Sequence, residues 1–411
     1  MAFWHPFADM GAVARNEFII DRGEGPWVFD EAGTRYLDGT ASLWYANLGH
    51  GRTEIADAVA AQMKKIEAYH TFSDVSNRPA EAICEALAAR APMPNAKVFL
   101  TSGGGDSIDV AAKLARRHFI NLGQPERVHL ISRTQGYHGT HGYGTALGGI
   151  EANVVNWGPL VPQTSSVPHD SLPALEEEIR RVGPDKVAAF FCEPVIGAGG
   201  VFPPHEGYIQ GVADLCAEHG ILLVIDAVIC GFGRLGTWFG VERWPDVKPS
   251  MITFAKGVTS GYLPLGGVVV DETVSAPYFE AAGGPMFRHG ATYAGHPSVC
   301  AAALATIDIY EAEDIIRRGQ DLEKPLYDAL APLAEHEAAS EVRGGIGFLA
   351  AVGVKEPSAV ATLAAGARKA GVLVRPLLGG VAVSPPLICE QEHIDLLAQA
   401  IEAGLDDVAA R

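Results

Sequence analysis

The sequence predicts an α/β fold with a mostly parallel central sheet covered on both faces, and a smaller α+β unit built from the two chain ends. Short apolar runs such as "KVAAFFC" from Lys186 and "ILLVIDAVI" from Ile221 alternate with segments of helical period. Runs of that kind belong to strands buried on both faces of a parallel sheet. The alternation extends from about residue 50 to about residue 295, which sets a large domain at 50–295. Residues 1–49 and 296–411 read as the second unit. At 411 residues, 48% apolar and 19% charged, the chain is long enough to bury more than one core.

The elements follow in order. Residues 53–66 read as a helix with Ile55, Val59, Met63 and Ile66 on one face. "KVFL" at 97–100 is a strand, followed by "TSGGGDS" and a helix through Arg117. "RVHLI" from Arg127 and "KVAAFFC" are further buried strands. "HEGYIQGVADLCAEHG" is a helix presenting Tyr208, Val212, Leu215 and His219, and Gly220 suits its C-terminal cap. "ILLVIDAVI", "MITFA" and "GGVVV" supply more strands, and a last helix carries Ile394, Leu397, Ile401 and Leu405.

Composition narrows the function. A formal charge of −18 argues against nucleic acid or an anionic membrane surface as partner. The six cysteines form no CxxC pair, so neither a zinc knuckle nor a disulfide framework is expected. The start, "MAFWHPFADMGAVARNEF", is not a signal peptide. No apolar stretch approaches the roughly 20 residues of a membrane span. The expectation is a reduced, cytoplasmic protein.

Ligands of open α/β sheets sit beyond the carboxyl ends of the strands, and three strand ends here carry unusual residues. "TSGGGDS" leads into a helix with backbone N–H groups free to hold a phosphate, or is a flexible turn. Asp226 closes "ILLVI" and needs a cation or donors, whether structural or functional. Lys256 ends "MITFA" as an ion-pair partner, a phosphate ligand or a nucleophilic amine. "GFGRLG" at 231–236 matches a dinucleotide fingerprint, but "TWFGVERWPDVKP" follows it with no helical period, which disfavours a nicotinamide or flavin site. His138 and His141 in "YHGTHGYG" have zinc-like spacing without a third ligand; a ring stacking on a planar ligand fits better.

Together these parts describe pyridoxal 5′-phosphate (PLP): a glycine-opened helix for the phosphate, Asp226 for the ring nitrogen, Lys256 for the Schiff base and Val228 under the ring. The chain also resembles the class III (subgroup II) aminotransferases of PLP-dependent fold type I, the aspartate aminotransferase fold, and more narrowly the ω-aminotransferases. "YLDGTASLWYANLGHGRTEIADAV", "YHG", "CEPVIGAGGV", "GFGRLGTWFG", "FAKGVTSGYLPLGG", "HGATYAGHPSVCAAAL", "VRGGIGFLA" and "SPPLI" carry the resemblance over nearly the whole chain. It implies Lys256 as Schiff-base lysine, Asp226 on the pyridine nitrogen, and Tyr137 stacked on the ring with His138 beside it. It also implies Gly104 and Gly105 at the phosphate, and Thr292 reaching the phosphate of a neighbouring subunit. Trp44 and Phe72 would line the substrate pocket, and Arg375, on a mobile loop near Gly379 and Gly380, would bind substrate carboxylates.

The resemblance further implies a homodimer with shared active sites, or a tetramer of such dimers. Its activity would be ping-pong transfer of an amino group from an amine or ω-amino acid to a keto acid such as pyruvate. An aminomutase or decarboxylase on the same scaffold is the alternative, and a binding protein that has lost the reaction a third. Two departures stand out: "GGGD" for the family's SGSE, and Ala227 for a glutamate beside Asp226. Side chains alternate along a strand, so Ala227 is expected to face away from the ring.

Overall fold

The computed structural model describes residues 2–280 and 282–410. Its central sheet contains β1 (Lys97–Thr101), β2 (His129–Arg133), β3 (Thr164–Val167), β4 (Val187–Cys192), β5 (Leu222–Asp226), β6 (Met251–Phe254) and β7 (Gly266–Val270). The spatial order is β1-β7-β6-β5-β4-β2-β3. Strands β3, β2, β4, β5 and β6 pair in parallel, while β7 runs antiparallel to both β6 and β1.

The apolar runs form strands because both faces are covered. In β5, Leu223 and Ile225 join one core cluster and Leu222 and Val224 another, on opposite sides of the sheet. Strand boundaries move where side chains intervene. β2 starts at His129, since the backbone before it is turned, with the Val128 N–H bonded to the Glu126 carbonyl, and the Arg127 guanidinium instead donates to the carbonyls of Val187, His219 and Gly220. β5 ends at Asp226, and the apolar Ala227–Ile229 continuation turns away, with the Ala227 N–H bonded to the Thr253 carbonyl at 2.9 Å.

The helix Gly104–Asn121 opens directly from the glycines and buries Ile108, Ala111, Ala115 and Phe119 against the sheet. The Tyr208–Glu218 helix buries Tyr208, Val212 and Cys216, and Gly220 follows it with φ +60, the left-handed value a capping glycine permits. The Thr53–Lys65 helix meets its expected face only in part: Ile55 is buried, but Met63 is exposed, and Ile66 lies past the helix in extended backbone. "GFGRLG" opens no helix. It is a buried turn whose Arg234 donates to the carbonyls of Phe348 and Pro385 and to Asn47 Oδ1.

Two smaller sheets use the chain ends. Strands Ile20–Glu24, Trp27–Asp30 and Arg35–Asp38 share a sheet with Val372–Leu373, which pairs in parallel through Val372 and Leu37. Ala339–Arg343, Ala350–Val354, Gly380–Val383 and Arg375–Leu377 form the other, with Arg375–Leu377 at its edge. The final helix, Gln391–Ala409, buries Ile394, Leu397, Ile401 and Leu405 as the sequence predicts. Among the described residues, no helix is long and apolar enough to cross a membrane.

Candidate active site

The carboxyl ends of β1, β5 and β6 meet at a cavity of about 390 Å³ lined by Gly104, Gly105, Tyr137, His138, Asp226, Val228 and Lys256. Seven of the sequence-predicted residues therefore converge, from segments far apart in the chain.

Asp226 is fixed by its surroundings. It is 3% exposed, and its Oδ2 lies 2.8 Å from His138 Nδ1. Oδ1 accepts from the Val228 N–H at 3.0 Å and from Thr253 Oγ1 at 3.3 Å. A carboxylate offers only acceptors, so Nδ1 of His138 carries the shared proton. The other ring nitrogen, Nε2, is buried without a partner among the described residues. Ala227 joins the core on the opposite face of the sheet and does not line the cavity.

Lys256 follows β6 with φ +48, an uncommon backbone state for a side-chain-bearing residue, at the start of a short 3₁₀ turn. Burial pulls its ammonium below the ordinary lysine value, opposed by the negative charges of Asp226 and then Glu193. The helix at Gly104 has no side-chain cap, so its first N–H groups stay available to an anion. A Cβ on Gly104 would come within 2.9 Å of Val228 Cγ1, so the helix start and the wall under the cavity require glycine there.

Glu193 also lines the cavity, and the sequence reading gave it no role. Its Oε1 accepts from the Tyr137 N–H at 3.0 Å and its Oε2 from the Gly197 N–H at 2.9 Å. Burial pushes its carboxyl up, partly offset by the nearby His138. The signal was present: Glu193 ends the apolar run of β4 as Asp226 ends that of β5. Burial also raises the Tyr137 phenol, while the positive charge of Arg375 pulls it the other way.

The remaining predicted residues lie elsewhere. Trp44 is 3% exposed and packs with Val195, Ile229, Leu349 and Ala382 behind the cavity wall; its neighbour Tyr45 lines the cavity. The turn carrying both has positive φ at Ala41, Ser42 and Trp44. Asp38 holds that turn by accepting from the N–H groups of Thr40 and Ser42. Phe72 is 49% exposed in a separate groove beside Gly290. Thr292 is exposed and outside its own chain's cavity. Arg375 sits on an edge strand paired with Ala382, not on a loop; the turn of that hairpin falls at Gly379, φ +78. His141 does not stack in the cavity but pairs with Asp106 at 3.0 Å. Among the described residues no cluster suits a metal ion.

A lysine beside two buried carboxylates, facing an uncapped helix start, suits a phosphorylated pyridine aldehyde. Comparison with known proteins agrees. The family profile aminotransferase class-III matches residues 10–405. A putrescine–pyruvate aminotransferase of Pseudomonas aeruginosa is 34% identical over 436 aligned positions, covering 98% of this chain and 94% of that protein. A thermostable (S)-enantioselective omega-transaminase from Thermomicrobium roseum superposes with a TM-score of 0.94 at 37% identity, covering 98% and 96% of the two chains. An amine transaminase from an uncultivated Pseudomonas species, solved in its PLP-bound form, gives 0.94 at 35% identity over 99% and 98%. Since these matches take in the cavity together with the sheets on either side of it, the chain belongs to the class III aminotransferases, PLP-dependent enzymes that move an amino group from an amine to a keto acid.

Proposed function

We propose that this chain takes an amino group from an amine or ω-amino acid and gives it to pyruvate or a similar keto acid, with Lys256 and Asp226 as its catalytic residues. The observation that carries this assignment is the meeting of Lys256, Asp226 and the Gly104 helix start in one cavity. Bound PLP supplies an electron sink for the pair left on the substrate carbon. Asp226 keeps the proton on the pyridine nitrogen, and His138 holds Asp226 in place. Tyr137 and Val228 would pack against the ring, and Gly104 and Gly105 would present N–H groups to the phosphate. The Lys256 amine, its basicity lowered by burial, would carry the proton to and from the substrate's amine-bearing carbon as general base and acid.

Arg375 would hold the keto-acid carboxylate from the sheet edge near Tyr137. Trp44 would shape the substrate pocket from behind Ile229. Phe72 and Thr292 belong to segments tied together by the Thr71 Oγ1 bond to the Ala294 carbonyl at 2.9 Å and the Asn77 Nδ2 bond to the Gly295 carbonyl at 2.8 Å. Both would serve the site of a second subunit, making the enzyme a homodimer with shared sites, alone or paired into a tetramer. The reading includes the division into a large unit, 50–295, and a small one from both ends, and a place in the cytoplasm.

Borohydride reduction followed by peptide mapping is expected to fix the pyridoxyl label on Lys256, and amine plus pyruvate to yield alanine. Label on another lysine would refute the assignment. Turnover with no added keto acid would instead favour an aminomutase or decarboxylase.

A further inference from the structure

The helix start at the cavity consists of Gly103, Gly104 and Gly105 followed by Asp106, so it offers an anion no hydroxyl or amino side chain of its own. The space beside Gly105 is nevertheless filled. A Cβ built there would come within 3.2 Å of His141 Nδ1 and 3.3 Å of its Cε1 and Cγ. The imidazole thus rests where a side chain at position 105 would begin. Its Nδ1 lies 3.0 Å from Asp106 Oδ1, and Asp106 Oδ2 accepts from the Ser102 N–H at 3.2 Å.

The turn that delivers His141 is pressed onto the helix. A Cβ on Gly139 would approach Gly105 Cα to 2.8 Å, so a larger residue at position 139 would drive the two segments apart. Behind it, the His141 carbonyl accepts from the Thr145 N–H at 2.8 Å, and Asp109 Oδ1 from the Tyr143 N–H at 2.9 Å. Lys113, the nearby cation on the same helix, is engaged with His289 Nδ1 at 3.1 Å.

A phosphate carrying roughly −1.5 to −2 charges meets repulsion from a carboxylate in the first turn of the helix that binds it. With Nδ1 of His141 given to Asp106, a doubly protonated ring would offset the carboxylate's charge and keep its Nε2–H as the donor for a phosphate beside the glycines. We propose that His141, held by Asp106 over Gly105, is a phosphate-binding residue for PLP in this enzyme. The inference rests on the reading that the cavity binds PLP with its phosphate at Gly104.

The test strips the cofactor and titrates it back, following binding by absorbance. His141→Ala is expected to weaken PLP binding about tenfold or more, the scale of one hydrogen bond to a charged group, and to leave pyridoxal, which lacks the phosphate, unaffected. His141→Phe, which keeps a ring on Gly105 but no donor, should lose the same affinity, and it serves if the alanine variant folds poorly. Inorganic phosphate should compete with PLP less effectively in both variants than in the wild type. Unchanged PLP affinity, or equal losses for PLP and pyridoxal, would overturn the role of His141. Wild-type enzyme that fails to fix PLP on Lys256 would overturn the functional reading itself, so the two failures are distinct.

Discussion

Replacing Asp226 with asparagine keeps the outline of the side chain and removes its charge. The native carboxylate is buried and accepts from His138 Nδ1, the Val228 N–H and Thr253 Oγ1. The amide oxygen of asparagine retains the last two bonds at the Oδ1 position. Its NH₂ then faces His138, whose Nδ1–H would oppose it at a cost of about 1–3 kcal/mol for a buried unmet donor. His138 escapes by moving its proton to Nε2, so the folding loss should fall at the lower end of that range. The chemical loss is larger. A carboxylate about 4 Å from a pyridinium charge is worth about 4 kcal/mol at an effective dielectric of 20. At 1.36 kcal/mol for each tenfold in rate, the half-reaction should slow by roughly three orders of magnitude. Stopped-flow absorbance after mixing holoenzyme with amine reads that rate, and a thermal melt reads folding. A rate within about tenfold of wild type would mean that another group holds the ring-nitrogen proton. A variant that does not fold would show that Asp226 serves the structure first.

Further expectations concern the partner subunit, the keto acid and the free lysine. Mixing inactive Lys256→Ala chains with inactive Thr292→Asp chains should restore activity, because each hybrid dimer then has one intact site; no recovery in hybrids of confirmed composition would count against shared sites. Arg375→Ala should raise KM for pyruvate about tenfold or more, the scale of a charge-assisted bond, and spare the half-reaction with a carboxylate-free amine. Equal losses with both substrates would make Arg375 a structural residue. In cofactor-stripped enzyme, burial lowers the Lys256 pKa from 10.5, so the unfolded chain binds more protons between the lowered value and 10.5. Over that window Lys256 destabilises the folded state less as pH rises. Lys256→Met should therefore melt higher than wild type at neutral pH, with the gap narrowing toward pH 10.5; a gap independent of pH would show that the lysine's charge is not the cause.

The sequence alone determined six of the seven strands of the central sheet, because an apolar run such as β4, or β5 up to its closing Asp226, fits only where both faces are covered; the polar Thr164–Val167 of β3 carries no such signal. It also marked Asp226 and Lys256, since a charge closing a buried strand is costly without a purpose, and the glycines of the helix start, of which Gly104 lies against Val228 with no room for a Cβ. Glu193 carried the same signal as Asp226 and went unread. The tertiary structure alone decided the rest. Period reports which face of an element is buried but not which strand pairs with it, so the antiparallel insertion of β7 between β1 and β6 was out of reach. The His138–Asp226 bond spans 88 positions and exists only once the sheet has closed. The same holds for Tyr45, not Trp44, facing the cavity, a choice made by positive φ angles at Ala41, Ser42 and Trp44 and by the Asp38 carboxylate that holds their turn. Phe72 and Thr292 fall outside their own chain's cavity for a related reason. Local pattern records what a side chain is, whereas the folded path of the segments tied through Ala294 and Gly295 sets which site it can reach.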